Sequence, residues 1–246
     1  MISCENQINL SDLLRSAFKY ILIGAVLFYT QQSTAQTILK SHILFKDNFE
    51  KKLNTEKWKV EMVAGPDASV STINGKLVID SPGGVSVWFN RKLSGNISIE
   101  YDWEVIVGNG KNDRLSDLNQ FWMANDSGNE NLFTRNGVFE AYDSLRLYYV
   151  GMGGNTNTTT RFRKYDGNGT RRLLQEYTDK KHLLKPNYIY HIKILVVNGQ
   201  TSFWVDGERY FAYRDTDPIQ EGYFGFRSTW SRHEIDNFRV TRILSN

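Results

Sequence analysis

The sequence has 246 residues, a formal net charge of +3 and a single cysteine, Cys4. A charge this small excludes a protein that binds nucleic acid by electrostatic attraction alone. One cysteine excludes an intramolecular disulfide and a zinc site built from several thiolates.

The first 35 residues have the features of a secretory signal peptide. Arg15 and Lys19 precede an apolar run over residues 20–29, and the small residues Ser33 and Ala35 stand where a signal peptidase site needs them. We therefore predict cleavage after Ala35. An uncleaved membrane anchor is the alternative, although the run is shorter than the ~20 residues of a comfortable membrane span.

Residues 36–246 are long enough for one domain with its own core. We expect no membrane span after removal of the signal peptide. Because Cys4 lies before the predicted cut, the mature chain would contain no cysteine, which suits a bacterial protein that is periplasmic, bound to the cell surface or secreted.

Short alternating apolar runs separated by turns predict an all-β chain. Asn74-Gly75 and Asp206-Gly207 are typical of two-residue hairpin turns, and Asn198-Gly199 ends a long run. We predict strands over residues 77–79, 85–89, 97–106, 121–123, 145–150, 188–197, 201–205, 209–213, 223–227 and 235–243. No helical pattern separates these runs, so the sequence predicts one antiparallel jelly-roll sandwich of two sheets.

The two ends of this domain carry related patterns. Residues 44–50 read Leu-Phe-Lys-Asp-Asn-Phe-Glu, with Trp58 behind them, and residues 235–240 read Ile-Asp-Asn-Phe-Arg-Val. We expect the first strand to pair with the last. In this combination the ends resemble those of concanavalin A-like jelly rolls, which include laminarinase-type glycosidases, sugar lyases and carbohydrate-binding modules.

The resemblance also bears on cofactors. The chain has no phosphate-binding loop and no dinucleotide fingerprint, so no cofactor is required. Jelly rolls of this group often contain a structural Ca²⁺, which prefers oxygen ligands, and this makes Asp47 and Asp236 candidate metal ligands. Hydrogen bonding at the strand ends is the simpler use of these two acids.

Two segments interrupt the regular strand pattern. Residues 108–118 are polar and contain glycine, and residues 151–175 are longer and rich in Gly, Thr and Asn. We predict both as irregular loops, which on a rigid sandwich commonly carry functional residues. His182 lies beside the second segment and is a candidate acid or base in catalysis.

An acidic pattern, Glu100-x-Asp102-x-Glu104, lies in the alternating run 97–106. The three carboxylates share one strand face because side chains alternate. The spacing resembles that of laminarinase-type glycosidases, in which one Glu is the nucleophile, the other is the acid/base and the Asp lies between, so all three are candidate catalytic residues. In that group an aromatic strand precedes the acidic one, whereas here Phe121-Trp122 follows it. A solvated strand with outward acids is the alternative.

Arginine and tyrosine residues interleave later in the chain. Arg146 and Tyr148 share one strand face, and Arg161, Arg163 and Tyr165 share a face if their segment is extended. The planar guanidinium group of arginine binds carboxylates through two hydrogen bonds, and a tyrosine near an arginine is a candidate base. Acidic-sugar lyases need both functions.

We therefore predict one anion-recognising patch of Arg146, Arg161, Arg163 and Tyr148, with Tyr148 as a catalytic residue. The candidate substrate-binding residues are Trp122, Arg135, Arg146, Arg161, Arg163, Tyr165, Arg227 and Trp230. Trp122, Tyr148 and Trp230 are also candidates for stacking on sugar rings. The alternative is that the arginines pair with Asp143, Asp166 and Glu176 on the surface.

Residues 146–151, 158–167 and 224–230 resemble an uncharacterised exported domain family of glycan-degrading Bacteroidota. The resemblance implies a concanavalin A-like jelly roll and a polysaccharide or oligosaccharide partner. Two classes of function stay open. The first is a lyase or glycosidase that acts on an acidic or modified polysaccharide, and the second is a non-catalytic carbohydrate-binding or glycan-handling module.

Overall fold

The computed structural model describes residues 41–244, which form an all-β fold. The strands are β1 (Ser41–Asp47), β2 (Trp58–Met62), β3 (Ser69–Ile73), β4 (Lys76–Ser81), β5 (Val85–Ser94), β6 (Ile97–Ile106), β7 (Leu118–Asn125), β8 (Arg146–Gly153), β9 (Thr159–Asp166), β10 (Arg171–Tyr177), β11 (Ile189–Val197), β12 (Gln200–Val205), β13 (Glu208–Arg214), β14 (Glu221–Ser228) and β15 (Ser231–Ile243). Short helical turns lie at Phe139–Tyr142, Gly154–Asn157 and Lys180–His182. The predicted signal peptide and its cleavage site lie outside the described residues.

The strands form two antiparallel sheets, as predicted. The seven-stranded sheet has the order β10-β9-β8-β7-β14-β5-β2, and the eight-stranded sheet has the order β13-β12-β11-β6-β15-β4-β3. In the eight-stranded sheet, β1 also pairs with β15, from Ser41 opposite Ile243 to Asp47 opposite Phe238. The predicted pairing of the first and last strands is therefore confirmed.

Three tight turns fix the register of neighbouring strands. Asn74-Gly75, Asn198-Gly199 and Asp206-Gly207 connect consecutive strands, and both residues of each pair have positive φ. Two-residue hairpins need this conformation because its twist matches that of the flanking strands. The Asn-Gly and Asp-Gly signals in the sequence are thus explained.

The main core fills the space between the sheets. Alternation places Tyr101, Trp103 and Val105 of β6 inward, fully buried against Phe226 of β14 and Phe238 of β15. This side of the acidic strand is therefore buried, and its carboxylates project to the opposite face. Large rings supply much of the buried area, which accounts for the high aromatic content.

A second, smaller core lies on the outer face of the seven-stranded sheet. Residues 126–145, the covering segment, connect β7 to β8 and pack Leu132, Tyr142 and Leu145 against that face. Trp88 of β5 stacks on Phe121 of β7 beneath them, with ring centroids 5.4 Å apart. The covering segment therefore closes part of this outer face and leaves the rest to polar side chains.

The prediction of a long loop over residues 151–175 is wrong. β9 and β10 form a hairpin there, and β9 pairs with β8 from Arg146 opposite Asp166 to Met152 opposite Thr160. The alternation of Arg, aromatic and Thr residues that looked unusual for a loop is the two-residue period of a strand. By contrast, most of the predicted loop over residues 108–118 is irregular. None of the helices between residues 41 and 244 has both the length and the apolar character that crossing a membrane requires.

Candidate functional site

The candidate site lies on the part of the seven-stranded sheet's outer face that adjoins the covering segment. Five side chains from four strands meet there, and we call them the outer-face site: Asn119 of β7, Tyr149 of β8, Arg163 and Tyr165 of β9, and Arg227 of β14. Strand pairing aligns them, since Arg227 lies opposite Asn119 and Tyr149 lies opposite Arg163. Residues on opposing strands in register project to the same face.

Arg227 is the most unusual member of the site because it is completely buried. Nη1 donates hydrogen bonds to the carbonyl of Gly137 at 2.6 Å and to Ser86 Oγ at 3.3 Å, while Nε and Nη2 have no hydrogen-bond partner within residues 41–244. The guanidinium lies 5.0 Å from the ring centroid of Tyr142 and 5.3 Å from that of Phe139. Burial lowers the pKa of Arg227, but an arginine remains charged at neutral pH.

Asn119 and Tyr149 place polar atoms over a glycine. A Cβ added to Gly151 would lie 2.2 Å from the Tyr149 hydroxyl and 2.7 Å from Asn119 Oδ1, so only glycine leaves room for both groups here. Asn119 Oδ1 is buried and has no hydrogen-bond donor among the described residues. Burial raises the pKa of Tyr149 well above its usual range, so its hydroxyl is protonated.

Tyr165 and Arg163 complete the site from β9. The Tyr165 hydroxyl is also buried without a hydrogen-bond partner in the described chain, and burial raises its pKa to about 12. Arg163 lies close enough to Tyr149 and Tyr165 to lower the pKa of both phenols against that trend. The nearby Arg161, Arg171 and Arg172 pair with carboxylates, whereas Arg163 has no ion pair within the described residues.

These features make the outer-face site cationic and short of hydrogen-bond partners. A buried polar atom without a partner costs roughly 1–3 kcal/mol, and more if it is charged. Four such atoms, on Arg227, Asn119 and Tyr165, project from one sheet face. Arg163 is half-buried and offers guanidinium donors to an anionic group of a ligand, while the other four side chains are buried around it.

Asp117, just before β7, is a carboxylate whose charge raises the pKa of Arg227 against the larger effect of burial. Asp117 pairs with Arg114, and burial raises the pKa of its carboxyl. Arg114 also donates from Nε to the carbonyl of Trp230 at 2.8 Å, and its guanidinium lies 5.0 Å from the Trp230 ring centroid. Asp117 interacts with Asn119 as well, so it connects Trp230 to the outer-face site.

The predicted glycosidase residues lie elsewhere. Glu100, Asp102 and Glu104 share a face, as predicted, but it is the outer face of the eight-stranded sheet. Glu100 pairs with Arg239, Asp102 lies 2.8 Å from His191 Nδ1, and Glu104 is 3.9 Å from Lys76 Nζ. Burial raises the pKa of Glu100, but the hydrogen bonds from Arg239 and Ser98 together with the charges of Lys193 and Arg239 lower it below its ordinary value. A general acid needs a raised pKa, so this face matches the alternative of an outward acidic strand.

The single patch predicted around Tyr148 is wrong, because Tyr148 and Arg163 lie on opposite faces of the sheet. Tyr148 belongs to the main core, where its hydroxyl donates to Asp215 Oδ2 at 2.5 Å. Lys164 Nζ binds the same oxygen at 2.6 Å. Burial, followed by the Asp215 hydrogen bond, raises the pKa of Tyr148, which opposes its predicted use as a base.

Stacking of sugars on Trp122 is also a wrong prediction. Trp122 is fully buried between the sheets, where it stacks on Phe162 and donates from Nε1 to Thr201 Oγ1 at 2.9 Å. Trp230, by contrast, keeps 45% of its surface exposed. Of the three tryptophan and tyrosine residues predicted to stack, only Trp230 is accessible.

Three predicted arginines have partners in the protein. Arg161 pairs with Glu176, which matches the alternative, and Arg146 pairs with Asp217 at 2.5 Å. Arg135 donates to Asp126, Ser144 and the carbonyls of Leu132 and Ala141, so it ties the covering segment together. Their guanidinium groups are therefore less available to a ligand than that of Arg163, which is half-buried and has no ion pair within residues 41–244.

His182 lies away from the outer-face site. Its ring stacks on Tyr177, with centroids 3.7 Å apart, and Nδ1 lies 2.8 Å from Asp179 Oδ2. The residues present do not fit the predicted calcium site either. Both oxygens of Asp47 accept hydrogen bonds, from Phe49 N and Trp58 Nε1, and residues 41–244 contain no group of three or more side chains placed to hold a metal ion. Asp236 Oδ1 accepts from Asn237 N at 2.6 Å.

Sequence reasoning missed Asn119 and Tyr149. Tyr149 could have been found by aligning the strand that carries Arg163 with the neighbouring strand Arg146–Gly153. That strand carries one tyrosine on each face, and the alignment shows which of them shares a face with Arg163. Asn119 gave no signal, because an asparagine next to Gln120 at the start of a strand resembles any polar strand residue. Arg163, Tyr165 and Arg227 were among the predicted residues, and the structure brings these three together.

Solved structures with the same fold share little sequence with this chain. A Bacillus subtilis protein of unknown function with a galectin-like fold has a TM-score of 0.67 at 16% identity, covering 85% of this chain and 100% of its own. An endo-β-1,3-glucanase from Pyrococcus furiosus has a TM-score of 0.62 at 11% identity, covering 85% and 97%. The carbohydrate-binding module CBM66 from Bacillus subtilis has a TM-score of 0.52 at 17% identity, covering 75% and 94%. These similarities confirm the concanavalin A-like fold and, at such identities, show the fold alone.

At the level of sequence, no curated protein matches the chain. A family model described as a domain of unknown function, DUF6250, matches residues 79–238. The matched region includes all five residues of the outer-face site. The chain therefore belongs to the DUF6250 family.

Proposed function

We propose that this chain is an exported bacterial glycan-handling protein that binds an acidic polysaccharide on the outer face of its seven-stranded sheet. The observation that carries the proposal is the buried guanidinium of Arg227, which has two unpartnered nitrogens and no ion pair among the described residues. A charged group in such a position is stabilised by an anion. The sugar carboxylates or sulfates of an acidic glycan supply one.

The neighbouring groups suit a sugar more than a small inorganic anion. Asn119 Oδ1 is an acceptor and needs a donor such as a sugar hydroxyl, while the Tyr149 and Tyr165 hydroxyls can donate or accept. An inorganic sulfate would satisfy the arginines but, having no O–H group, could not donate to the amide oxygen. The names of two structural neighbours, a glucanase and a carbohydrate-binding module, support a carbohydrate ligand by analogy of fold only.

Binding without turnover is the form of the function that the geometry favours. The three carboxylates with glycosidase spacing are paired on the other sheet. On the outer face of the seven-stranded sheet, Glu61 accepts from Trp88 Nε1, Tyr142 OH and Arg135 N, so it serves the covering segment. Lyase chemistry is the second candidate, because the two arginines beside Tyr149 could neutralise a uronate while the protonated Tyr149 hydroxyl serves as the acid that donates to the leaving sugar.

A glycan panel tests the proposal. The purified chain is titrated with homogalacturonan, alginate, heparin, laminarin and xylan, and each mixture is monitored for heat of binding, new reducing ends and the ultraviolet absorbance of unsaturated sugar ends. We expect affinity for at least one acidic polymer, none for its carboxyl-reduced or desulfated form, and weaker binding at high salt because charge contacts are screened. Equal affinity for the acidic and neutralised forms, or affinity for laminarin alone, would contradict it.

The same panel separates binding from turnover. Affinity without new chain ends supports the binding function. New reducing ends would reveal a hydrolase, and unsaturated ends would reveal a lyase. In the lyase case, Tyr149→Phe should abolish the absorbance signal while leaving the affinity within a few-fold of the wild-type value.

A further inference from the structure

Trp230 stands apart from the other tryptophans of the chain. All six tryptophans lie within the described residues, and four of them are fully buried: Trp58, Trp88, Trp103 and Trp122. Trp204 is half-buried, whereas Trp230 is 45% exposed at the turn between β14 and β15. An indole at such a position presents a large apolar ring to the solvent.

The exposed ring is held in place by contacts with Arg114. The Arg114 guanidinium lies 5.0 Å from the indole centroid, and its Nε donates to the carbonyl of Trp230 at 2.8 Å. The pairing of Arg114 with Asp117 fixes the guanidinium in turn. The ring is thus oriented before any ligand arrives, which reduces the entropy lost on binding.

Asp117 also connects the backbone of Trp230 to the outer-face site. Asp117 interacts with Asn119 and with the backbone of Trp230. Trp230 follows Arg227 by three residues, so their Cα atoms are at most about 11 Å apart. A distance of this size is covered by neighbouring sugar rings of one oligosaccharide.

We propose that Trp230 is the stacking platform of a second sugar subsite, which binds the ring next to the acidic sugar bound at the outer-face site. The ligand is then an acidic oligosaccharide of at least a few sugars rather than a monosaccharide. The apolar face of a sugar ring stacks on the indole, while Arg114, paired with Asp117, keeps the indole oriented. This inference rests on the proposed glycan-binding function and adds a minimum ligand length to it.

The test uses chain-length series of three acidic glycans: oligogalacturonates, oligomannuronates and heparin-derived oligosaccharides, each with two, four and six sugars. For the series that binds, we expect the wild-type protein to bind the hexamer about tenfold more tightly than the dimer. Trp230→Ala should remove this gain and leave dimer affinity unchanged. The hexamer, but not the dimer, should also protect the fluorescence of Trp230 from acrylamide quenching.

Trp204→Ala is the matched control. Trp204 also has a stacked arginine, Arg209 at 5.7 Å, but belongs to the eight-stranded sheet, so its loss should change neither affinity. A length gain that survives Trp230→Ala, or equal losses for dimer and hexamer, would overturn the second subsite while leaving the proposed function intact. If the wild-type protein binds no member of any series, the proposed function fails together with the inference.

Discussion

The outer faces of the two sheets differ in how their charges are satisfied. On the eight-stranded sheet, Glu100 contacts Arg239, Lys193 and His191, and every acid of the acidic pattern has a basic neighbour. On the seven-stranded sheet, Arg163 and Arg227 have no ion pair among residues 41–244, and buried polar atoms around them lack partners. The charges on the eight-stranded sheet, the paired face, are already balanced by neighbouring side chains. The arginines on the seven-stranded sheet are not balanced in this way, which suits that face to an anionic ligand.

The comparison also shows that residue types alone do not identify a site. The acidic pattern has the spacing of a glycosidase, yet cross-strand cations neutralise it. The outer-face site has no recognisable motif, yet its groups remain unsatisfied. The partners that surround a charged side chain therefore decide whether it serves the fold or a ligand.

The largest expected effect is on the pH dependence of stability, and it comes from His233, which is buried between the two sheets. This side chain is fully buried, accepts from Trp103 Nε1 at Nδ1 and contacts Ser228 Oγ through Nε2. Burial lowers its pKa to about 3, against ~6.5 in an unfolded chain. The folded state thus binds fewer protons, so its contribution to stability is complete above pH 6.5 and is lost as the pH falls towards 3, by roughly 1 kcal/mol per pH unit.

Urea unfolding at pH 7, 5 and 4 measures this loss. His233→Gln should flatten the pH dependence between pH 6.5 and 4.5, a range above the usual titration of the carboxylates on the paired face. An unchanged slope in the variant would show that the acid sensitivity arises from the surface charges instead.

The next largest effect is on ligand affinity, and it is measured by substituting one arginine on each outer face. Arg163→Gln should weaken binding of the acidic glycan about ten- to a hundredfold, since a charge-assisted hydrogen bond contributes roughly 1.5–3 kcal/mol. Arg239→Gln is the matched control, because Arg239 pairs with Glu100 on the other sheet and should leave the affinity unchanged. Isothermal titration of both variants makes the measurement. Equal losses in the two variants would remove the distinction between the faces.

A smaller effect is expected from the glycine beneath the site. Gly151→Ala places a methyl group 2.2 Å from the Tyr149 hydroxyl, so the phenol and Asn119 must move, and we expect affinity to fall roughly tenfold through misplaced contacts. Gly65→Ala is the control, because nothing lies within 4 Å of the added methyl group. Wild-type affinity in Gly151→Ala would show that Tyr149 and Asn119 do not contact the ligand.

The smallest effect concerns stability and separates two buried tyrosines. Tyr165→Phe removes a hydroxyl that has no partner in the described chain, so the ligand-free protein should become more stable by up to about 1 kcal/mol. Tyr101→Phe removes a hydroxyl that donates to Gln120 Oε1 at 2.9 Å and should destabilise by about 1 kcal/mol. Thermal unfolding without ligand compares them. Destabilisation of the Tyr165 variant would indicate that its hydroxyl already has a partner.

Much of the fold could be predicted because its determinants are local. The two-residue alternation of Ile97–Ile106 and the Asn74-Gly75 turn act within a few residues, and the similar ends indicated the pairing of β1 with β15. Over residues 151–175 the same two-residue alternation is present but is obscured by Gly and Thr residues. The segment was therefore predicted as a loop, although it contains β9 and most of β10.

The site was harder to predict because it depends on register and on what lies above the sheet. Tyr148 and Tyr149 are adjacent and chemically identical, and only the pairing of Tyr149 with Arg163 reveals which one faces outward. The covering segment determines which outward residues are buried, and its packing on Trp88 has no sequence signature. That Arg227 has no ion-pair partner within residues 41–244 follows from its three-dimensional surroundings alone.

The most direct measurement is a ¹⁵N–¹H spectrum of the arginine Nε groups, recorded with and without the acidic glycan selected by the panel. Signals are assigned by comparing Arg163→Gln, Arg227→Lys and Arg239→Gln variants. We expect the Nε–H signals of Arg163 and Arg227 to shift on titration, while that of Arg239 stays in place. Shifts at Arg239 with none at Arg163 or Arg227 would place the ligand on the paired face and contradict the assignment of the site.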